Sequence, residues 1–415
     1  MLAYFKNTFF EIFKRPDSRS APIDGLRAIA ILYVVMFHCF LFLQDVFVDK
    51  KLFIEFLDDM PFLLKWVWHG DKGVDIFFVL SGFLIGGMLF RDYQREQNLD
   101  LKKFYKRRLT RILPLYIFAL ALYGSVYENN SDYIWANLLF VNNILPSTKI
   151  FIPWSWSLTI EVQFYLLIPF ILMPILRLQK PLYGIFWLLV LMILLRLAIT
   201  LHEPILYTKS FADNFLLASR ESAFRYTEAL YVNLYTRVGP LLMGVVFAYL
   251  HVFYAQQIKD AFIRHHVKLQ FLYACLAGIT LYILFHAGAS VPSDHPAFNT
   301  GINLLYVAFG RNLFSLFIVL SLAYALYAGG VGYWIRHFLS MRLWYPVAQT
   351  SYSMYLFHIP FIAIVYFLVK GADKIQAISY TEIFFIFIGG SLLSVVFGIF
   401  TFIFIEKPAI RFGRK

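Results

Sequence analysis

Charged residues are scarce in this chain of 415 residues: Asp, Glu, Lys and Arg together make up only 15% of it. A soluble globular protein normally holds about 25% of such residues. Hydrophobic residues account for 60% of the sequence and aromatic residues for 20%. This composition excludes a soluble globular chain and indicates a helical protein that crosses a membrane several times.

Cysteine is almost absent as well. The two cysteines, Cys39 and Cys275, lie in apolar segments and show no CxxC spacing. Neither a disulfide framework nor a zinc site is therefore expected, and we predict no metal. The chain shows no internal repeat and no low-complexity tract. Its formal net charge of +12 could indicate a nucleic-acid partner, but the distribution of the cations fits membrane topology better, so we expect none.

Apolar stretches long enough to cross a bilayer recur along the chain. They predict an all-α, polytopic integral membrane protein with about ten transmembrane helices. We expect residues 1–20 to form a cytoplasmic or interfacial segment, residues 21–408 the transmembrane domain and residues 409–415 a basic cytoplasmic tail. The predicted spans are 23–44, 73–90, 110–127, 155–176, 181–201, 230–256, 269–286, 302–328, 343–368 and 381–405.

The cations fix the predicted orientation. If the N-terminus is cytoplasmic, 23 Lys and Arg residues fall on the inner side of these spans and 10 on the outer side. The positive-inside rule then places both termini in the cytoplasm. We therefore predict a multi-pass protein surrounded by lipid, in the cytoplasmic (inner) membrane of a bacterium.

The first span carries two ionisable residues, Arg27 and His38. They are eleven residues apart, so on a helix they share nearly one face and are separated by roughly 16 Å along the axis. An arginine in a bilayer centre costs on the order of 3 kcal/mol or more, so such a face normally lines a protein interior or an aqueous cavity. This face predicts a functional site.

Other polar residues fall at a similar depth. Counting inward from the predicted span ends places six of them at or just outside the midplane. Scattered structural residues would have no reason to share a depth, so we predict that these six line one site. They are Ser81, Glu161, Arg237, Arg311, His358 and His38.

A second group of cations lies on the predicted cytoplasmic side. Lys106, Arg107, Arg108 and Arg111 fall within six residues at the start of the third span. Arg108 and Arg111 are three residues apart on one helical face, where they would form a fork suited to phosphate. A phosphate site inside and an acid/base site further out favour a long anionic donor, and coenzyme A fits that geometry.

Seven segments in order resemble one family, the acyltransferase 3 membrane proteins. The segments are Asp24–Arg27 with His38, Gly73–Ile85, Arg108–Pro114, Trp156–Glu161 with Phe164 and Tyr165, Arg237 with Gly239–Gly244, Ser351–His358 and Glu406–Pro408. The resemblance implies transfer of an acyl group, usually acetyl from acetyl-CoA, to a sugar hydroxyl outside the cytoplasm. Some members carry an appended extracytoplasmic esterase-like domain, and we expect this chain to be a form without one.

The resemblance also implies roles for single residues. His38 looks like the essential histidine and Arg27 like its paired cation, while Arg108 and Arg111 look like the Arg-x-x-Arg pair. By their chemistry, His38 would take the hydroxyl proton or accept the acyl group transiently, and Glu161 would orient the imidazole or bind the acceptor. Arg237 could hold the thioester carbonyl. We predict further substrate-binding residues, namely Arg107, Arg108, Arg111, Ser81, Arg237, Arg311, Tyr355 and His358.

An alternative function is a proton-coupled transporter or glycolipid carrier in which Arg27, His38, Glu161 and His358 form a relay. Transporters often show inverted repeats with broken helices in matching positions, and the sequence shows none. We therefore favour the O-acyltransferase. The sequence leaves open the acyl group and the acceptor, which could be O-antigen, peptidoglycan, capsule, glucan or a lipid-linked sugar.

Overall fold

The structure is a computed structural model that describes residues 2–15, 20–126, 128–210, 213, 224–286, 293–296 and 298–414. It confirms the predicted fold class, an all-α polytopic membrane protein. Three cations of the topology prediction, Arg19, Arg220 and Lys415, lie outside the described residues.

The described α-helices are numbered here in chain order. They are α1 Leu2–Phe13, α2 Ala21–Val46, α3 Lys50–Asp58, α4 Lys72–Glu96, α5 Leu101–Gly124, α6 Ile134–Leu138, α7 Trp156–Leu176, α8 Pro181–His202, α9 Ile205–Thr208, α10 Leu234–Phe253, α11 Ala255–Arg264, α12 His266–Phe285, α13 Thr300–Leu305, α14 Arg311–Tyr327, α15 Val331–Leu339, α16 Trp344–Lys370, α17 Tyr380–Thr401 and α18 Lys407–Arg414.

Within the described part of the chain, nine helical segments are long and apolar enough to cross a membrane. Each overlaps one of the predicted spans. The remaining predicted span, 110–127, coincides with the second half of α5, whose first half holds the basic residues from Lys102 to Arg111. Its uncharged part, Ile112 to Gly124, covers roughly 20 Å at 1.5 Å per residue, which is less than the ~30 Å hydrocarbon core.

The chain divides into two compact units. Unit 1 comprises residues 1–56, 100–134 and 336–415. In it, α16 packs against α2 and α17, and α18 packs against α5. A short parallel β-bridge follows α2. The Val48 amide donates a hydrogen bond to the Ile375 carbonyl oxygen at 2.9 Å, and the Ile375 amide donates one to the Val46 carbonyl oxygen at 2.9 Å. This bridge fixes the C-terminal end of α2 in unit 1.

Unit 2 comprises residues 57–99 and 135–335 and is built around α4, which packs against α10 and α14. Two glycines let the backbones of α4 and α10 touch. A Cβ atom at Gly82 would meet the carbonyl oxygen of Leu241, and one at Gly244 would meet that of Val79. Small residues allow such close approach of membrane helices, so this contact explains why both segments need glycine.

The described residues include π-helical turns at Thr227–Tyr231, Tyr306–Gly310 and Phe402–Glu406. Such turns leave backbone carbonyls displaced from the regular helical pattern. In unit 2 the buried Arg196 of α8 serves two of these turns. Its guanidinium donates to the carbonyl oxygens of Leu230 at 3.1 Å and Val307 at 2.8 Å. The turns aim Tyr231 and Tyr306 at the ionic cluster described below.

Candidate active site

A pair of histidines lies in unit 1, one on α2 and one on α16. The ring centroids of His38 and His358 are 4.7 Å apart, with an interplanar angle of 71°. The Nδ1 atom of His38 lies 2.8 Å from the Val34 carbonyl oxygen. The Nδ1 atom of His358 lies 3.0 Å from the carbonyl oxygens of both Met354 and Tyr355. A carbonyl oxygen only accepts, so each Nδ1 carries the hydrogen and each Nε2 carries the lone pair. Both rings are therefore in the Nδ1–H tautomer, in which Nε2 can act as a base.

Arg27 lies on α2 as well, three residues after Asp24. Both side chains are half-buried, and Asp24 is within electrostatic range of Arg27 and Arg15. Because α2 is an unbroken helix from Ala21 to Val46, the expected separation of Arg27 and His38, roughly 16 Å along the axis, stands. Arg27 is thus placed about three helical turns from His38, where its guanidinium could contact a distant part of the same ligand.

The basic residues of α5 are packed against the C-terminal helix in unit 1. Lys106 lies over the ring of Phe412 at 5.5 Å, and a Cβ atom at Gly413 would meet the Thr110 side chain. Arg111 is exposed, and it is a cation within electrostatic range of the buried Glu406. Arg107 and Arg108 are half-buried on the same helix. The three arginines therefore lie on a fixed helix. One of them, Arg111, is near the carboxyl group of Glu406, for which the sequence predicts no role.

In unit 2 the structure brings Ser81 of α4 next to Glu161 of α7. The Ser81 hydroxyl and the Tyr165 hydroxyl both donate to the same carboxylate oxygen, Oε1 of Glu161. The two hydroxyl oxygens lie 3.4 Å apart. Two of the six residues predicted to line one site are thus in direct contact, and Tyr165 joins them.

The chain segment before α7 holds this helix in place through side-chain amides. Asn143 and Gln163 form a reciprocal amide pair, with nitrogen–oxygen distances of 3.1 and 2.9 Å. Asn142 donates to the Ser155 hydroxyl at 2.9 Å and accepts from the Thr159 hydroxyl. Thr159 and Gln163 flank Glu161, so this network fixes the part of α7 that presents the carboxylate.

Arg237 and Arg311 lie in a buried ionic cluster at the start of α4. Asp75 is fully buried and lies 3.2 Å from Arg237 Nη2 and 2.8 Å from Arg311 Nη1. Arg311 also pairs with Asp71, which in turn lies 3.3 Å from Lys72 Nζ. Three cations thus share two carboxylates, and the cluster keeps a formal charge of +1. Both arginines help to hold α4, α10 and α14 together through these ion pairs. The substrate-binding roles expected of them stay predictions.

Aromatic rings surround the Arg237 guanidinium, which is only 1% exposed. Its central carbon lies 5.0 Å from the ring of Trp156, 5.3 Å from that of Tyr231 and 5.7 Å from that of Phe78. Guanidinium groups bind aromatic faces at such distances, more strongly when water is excluded. The arginine is therefore stabilised by rings on three sides and by one carboxylate.

A chain of hydrogen bonds extends from this cluster through Lys72. Tyr306 Oη lies 3.1 Å from Lys72 Nζ and 3.1 Å from His69 Nδ1. Burial, and then the nearby Lys72 ammonium, lower the pKa of His69 to about 3. Burial acts to raise the pKa of Asp71, but the Arg311 and Lys72 cations outweigh it and hold that pKa below its usual value. At neutral pH His69 is therefore uncharged and Asp71 ionised.

The sequence alone predicts no individual role for five residues of these clusters, namely Asp71, Lys72, Asp75, Tyr165 and Glu406. The sequence does contain a sign of the ionic cluster, because Asp71, Lys72 and Asp75 are three charged residues within five positions at the edge of an apolar span. The predicted topology makes Lys72 an outer-loop cation, whereas the structure buries it beside Asp71. No group of three or more His, Cys, Asp or Glu side chains in the described ranges is arranged to hold a metal ion.

Comparison with known proteins decides the family. A protein-family model described as "Acyltransferase domain" matches residues 21–405. This chain belongs to the acyltransferase 3 family. The histidine pair, the α5 arginines, the Glu161 cluster and the ionic cluster all lie inside the matched residues, whereas the Glu406–Pro408 segment lies just beyond them.

Among the relatives of this acyltransferase 3 chain is the protein named O-acetyltransferase OatA in Staphylococcus aureus, for example in strains NCTC 8325 / PS 47 and COL. Each is 27% identical over 433 residues, which cover 97% of this chain and 60% of the relative. The chain thus spans about 60% of the length of these relatives. No solved structure was found to match it.

Proposed function

We propose that this chain is a membrane O-acyltransferase that moves an acetyl group from cytoplasmic acetyl-CoA to a hydroxyl of an extracytoplasmic or lipid-linked cell-surface glycan. The family match over residues 21–405 and the O-acetyltransferase name of the relatives support the reaction class. The observation that carries the proposal is the hydrogen bond from His38 Nδ1 to the Val34 carbonyl, because it leaves Nε2 as a base within the matched residues.

The reaction needs a base because a sugar hydroxyl is a weak nucleophile. His38 Nε2 takes the hydroxyl proton while the hydroxyl oxygen forms a bond to the thioester carbonyl carbon. As the carbon–sulfur bond breaks, the imidazolium returns that proton to the coenzyme A sulfur. The products are an acetyl ester and free coenzyme A, and the histidine is restored to its starting tautomer.

The donor would be held through its phosphates by Arg107, Arg108 and Arg111 on α5 in unit 1. A guanidinium binds phosphate oxygens through two parallel hydrogen bonds, which gives both affinity and orientation. Contact with α18 keeps this helix in place, so the arginines need little reorganisation to bind. The cation count of the whole chain supports a cytoplasmic position for this group, in the inner membrane of a bacterium.

Thioester consumption tests the proposal. We expect the purified protein in lipid nanodiscs to release free coenzyme A thiol from acetyl-CoA when envelope glycan of the expressing strain is added. Base-labile acetate on the glycan should rise in equal amount. Binding of the glycan without any thiol release would contradict the proposal and favour a carrier.

A further inference from the structure

Glu161 is held by one of its two oxygens. Ser81 and Tyr165 both donate to Oε1, whereas Oε2 accepts no hydrogen bond from any residue that the structure describes. The side chain is half-buried, so Oε2 remains open to a ligand. A carboxylate that is fixed through one oxygen presents the other in a defined direction.

The direction of these hydrogen bonds limits what the cluster can bind. A hydroxyl has one hydrogen, and Ser81 and Tyr165 each commit theirs to Glu161 Oε1. What remains toward a ligand is the Oε2 atom together with lone pairs of the two hydroxyl oxygens, and all of these can only accept. Such a cluster takes ligand groups that donate a hydrogen bond, and its negative charge repels phosphate. It has the opposite preference to the arginines of α5.

Resting on the proposed function, we propose that Ser81, Glu161 and Tyr165 form the acceptor-side subsite for an uncharged, hydroxyl-bearing part of the sugar. Glu161 Oε2 accepts a hydrogen bond from a hydroxyl of this sugar. Ser81 and Tyr165 are positioning residues that act through Oε1. No proton is transferred at this subsite.

The surroundings keep the subsite rigid. Gln163, two residues after Glu161, donates to the Phe140 carbonyl oxygen at 2.9 Å as well as to Asn143. On the other side, Gly82 follows Ser81 directly and allows α4 to contact α10 closely. Both helices that supply the subsite are thus fixed within unit 2, which is what a preorganised binding group requires.

Two measurements on the same variants test the proposal. The first is base-labile acetate on the envelope glycan of cells that express each variant, and the second is the Kd of coenzyme A for the purified full chain in nanodiscs, by calorimetry. We expect Tyr165→Phe and Ser81→Ala to lower the acetate roughly tenfold each, as for the loss of one hydrogen bond to a charged group. The coenzyme A Kd should stay within about twofold of wild type, because no phosphate is bound there.

Matched controls separate positioning from packing. Ser81→Thr keeps a hydroxyl and should retain most of the acetate. Tyr249→Phe changes a buried tyrosine that packs among aromatic rings of unit 2, and Ser394→Ala removes a hydroxyl that bonds its own helix at Gly390. Both controls should behave as wild type. Size-exclusion profiles identify a misfolded variant. If Tyr165→Phe is misfolded by this criterion, the proposal is tested with Ser81→Ala.

Either of two results would overturn the subsite. If the coenzyme A Kd weakens in step with the acetate in folded variants, the cluster serves the donor. If Tyr165→Phe and Ser81→Ala leave the acetate unchanged, Glu161 needs no positioning. A wild-type protein that neither binds coenzyme A nor acetylates glycan would instead contradict the proposed function, so the two failures are distinguishable.

Discussion

A histidine inside a membrane helix can be satisfied by the helix itself. His38 gives its Nδ1 hydrogen to the carbonyl one turn earlier, at 2.8 Å, and so needs no carboxylate partner to fix its tautomer. His358 does the same on α16. The arrangement explains how two apolar helices can each present a base without a neighbouring acid on the same helix.

We predict that His38→Ala abolishes acetyl transfer while the protein stays folded. The change removes the base but little packing, and general base catalysis contributes about 10²- to 10⁴-fold. Release of coenzyme A thiol and glycan acetate should both fall to background, with an unchanged size-exclusion profile. Phe37→Leu is the control, since this buried neighbour points to another face and should retain activity. Unchanged glycan acetylation by the His38→Ala variant at equal expression would contradict the assignment of His38 as the base.

Arginine at positions 108 and 111 should matter by shape as well as by charge. We expect Arg108→Ala and Arg111→Ala to weaken coenzyme A binding by roughly tenfold or more, and the lysine variants to be impaired as well, because lysine reproduces a bidentate phosphate contact poorly. Calorimetry with coenzyme A measures this directly. Should the variants only raise the apparent KM for glycan at constant acetyl-CoA, the donor site lies elsewhere.

At the residue scale, depth counting predicted some neighbours and missed others. Ser81 and Glu161 were expected at one depth, and the structure joins them by a hydrogen bond. The pairing of Asp75 with Arg237 and Arg311 was not predicted. Which residues meet across helices depends on the rotation of each helix about its axis, and a single sequence fixes depth much better than rotation.

At the scale of elements, α4 combines structure and function along one helix. Its first turn carries Asp75 in the ionic cluster, and about two turns later Ser81 contacts Glu161. The sequence predicted this span because its apolar run is long. It could not place the start of α5, because the basic residues before the apolar run continue the same helix.

Asp75→Asn should destabilise unit 2 strongly. The amide keeps the shape but leaves Arg237 and Arg311 with one carboxylate between them, and breaking a buried charge pair costs on the order of 3–5 kcal/mol. Thermal unfolding of the purified protein measures the loss.

The matched control for this prediction is Glu55→Gln, which makes the same carboxylate-to-amide change in an exposed pair. Glu55 lies 3.7 Å from Lys51 on α3, and both side chains are more than half exposed. It should change stability by about 0–1 kcal/mol. Equal effects of Asp75→Asn and Glu55→Gln would show that the cluster contributes little to the fold.

At the scale of the whole molecule, the predicted orientation rests on the distribution of 37 Lys and Arg residues. Segments that are predicted to lie on the inner side hold most of them. On α2 alone, Arg27 is near the end that this orientation makes cytoplasmic, and His38 lies roughly 16 Å further toward the outside. Donor and acceptor of the proposed reaction should therefore reach the protein from opposite faces of the membrane.

Vesicles of uniform orientation test this sidedness. Acetyl-CoA is supplied only at the face that carries Arg108, and glycan only at the opposite face. We expect glycan acetate to form in this arrangement and to be absent when acetyl-CoA is moved to the glycan side, because the phosphates of coenzyme A cannot cross the bilayer. Vesicles with the Arg108→Ala variant provide the matched control for leakage. Acetylation that occurs only when both substrates share the cytoplasmic face would mean that the glycan is modified before export, and the outward position of His38 would then lose its functional meaning.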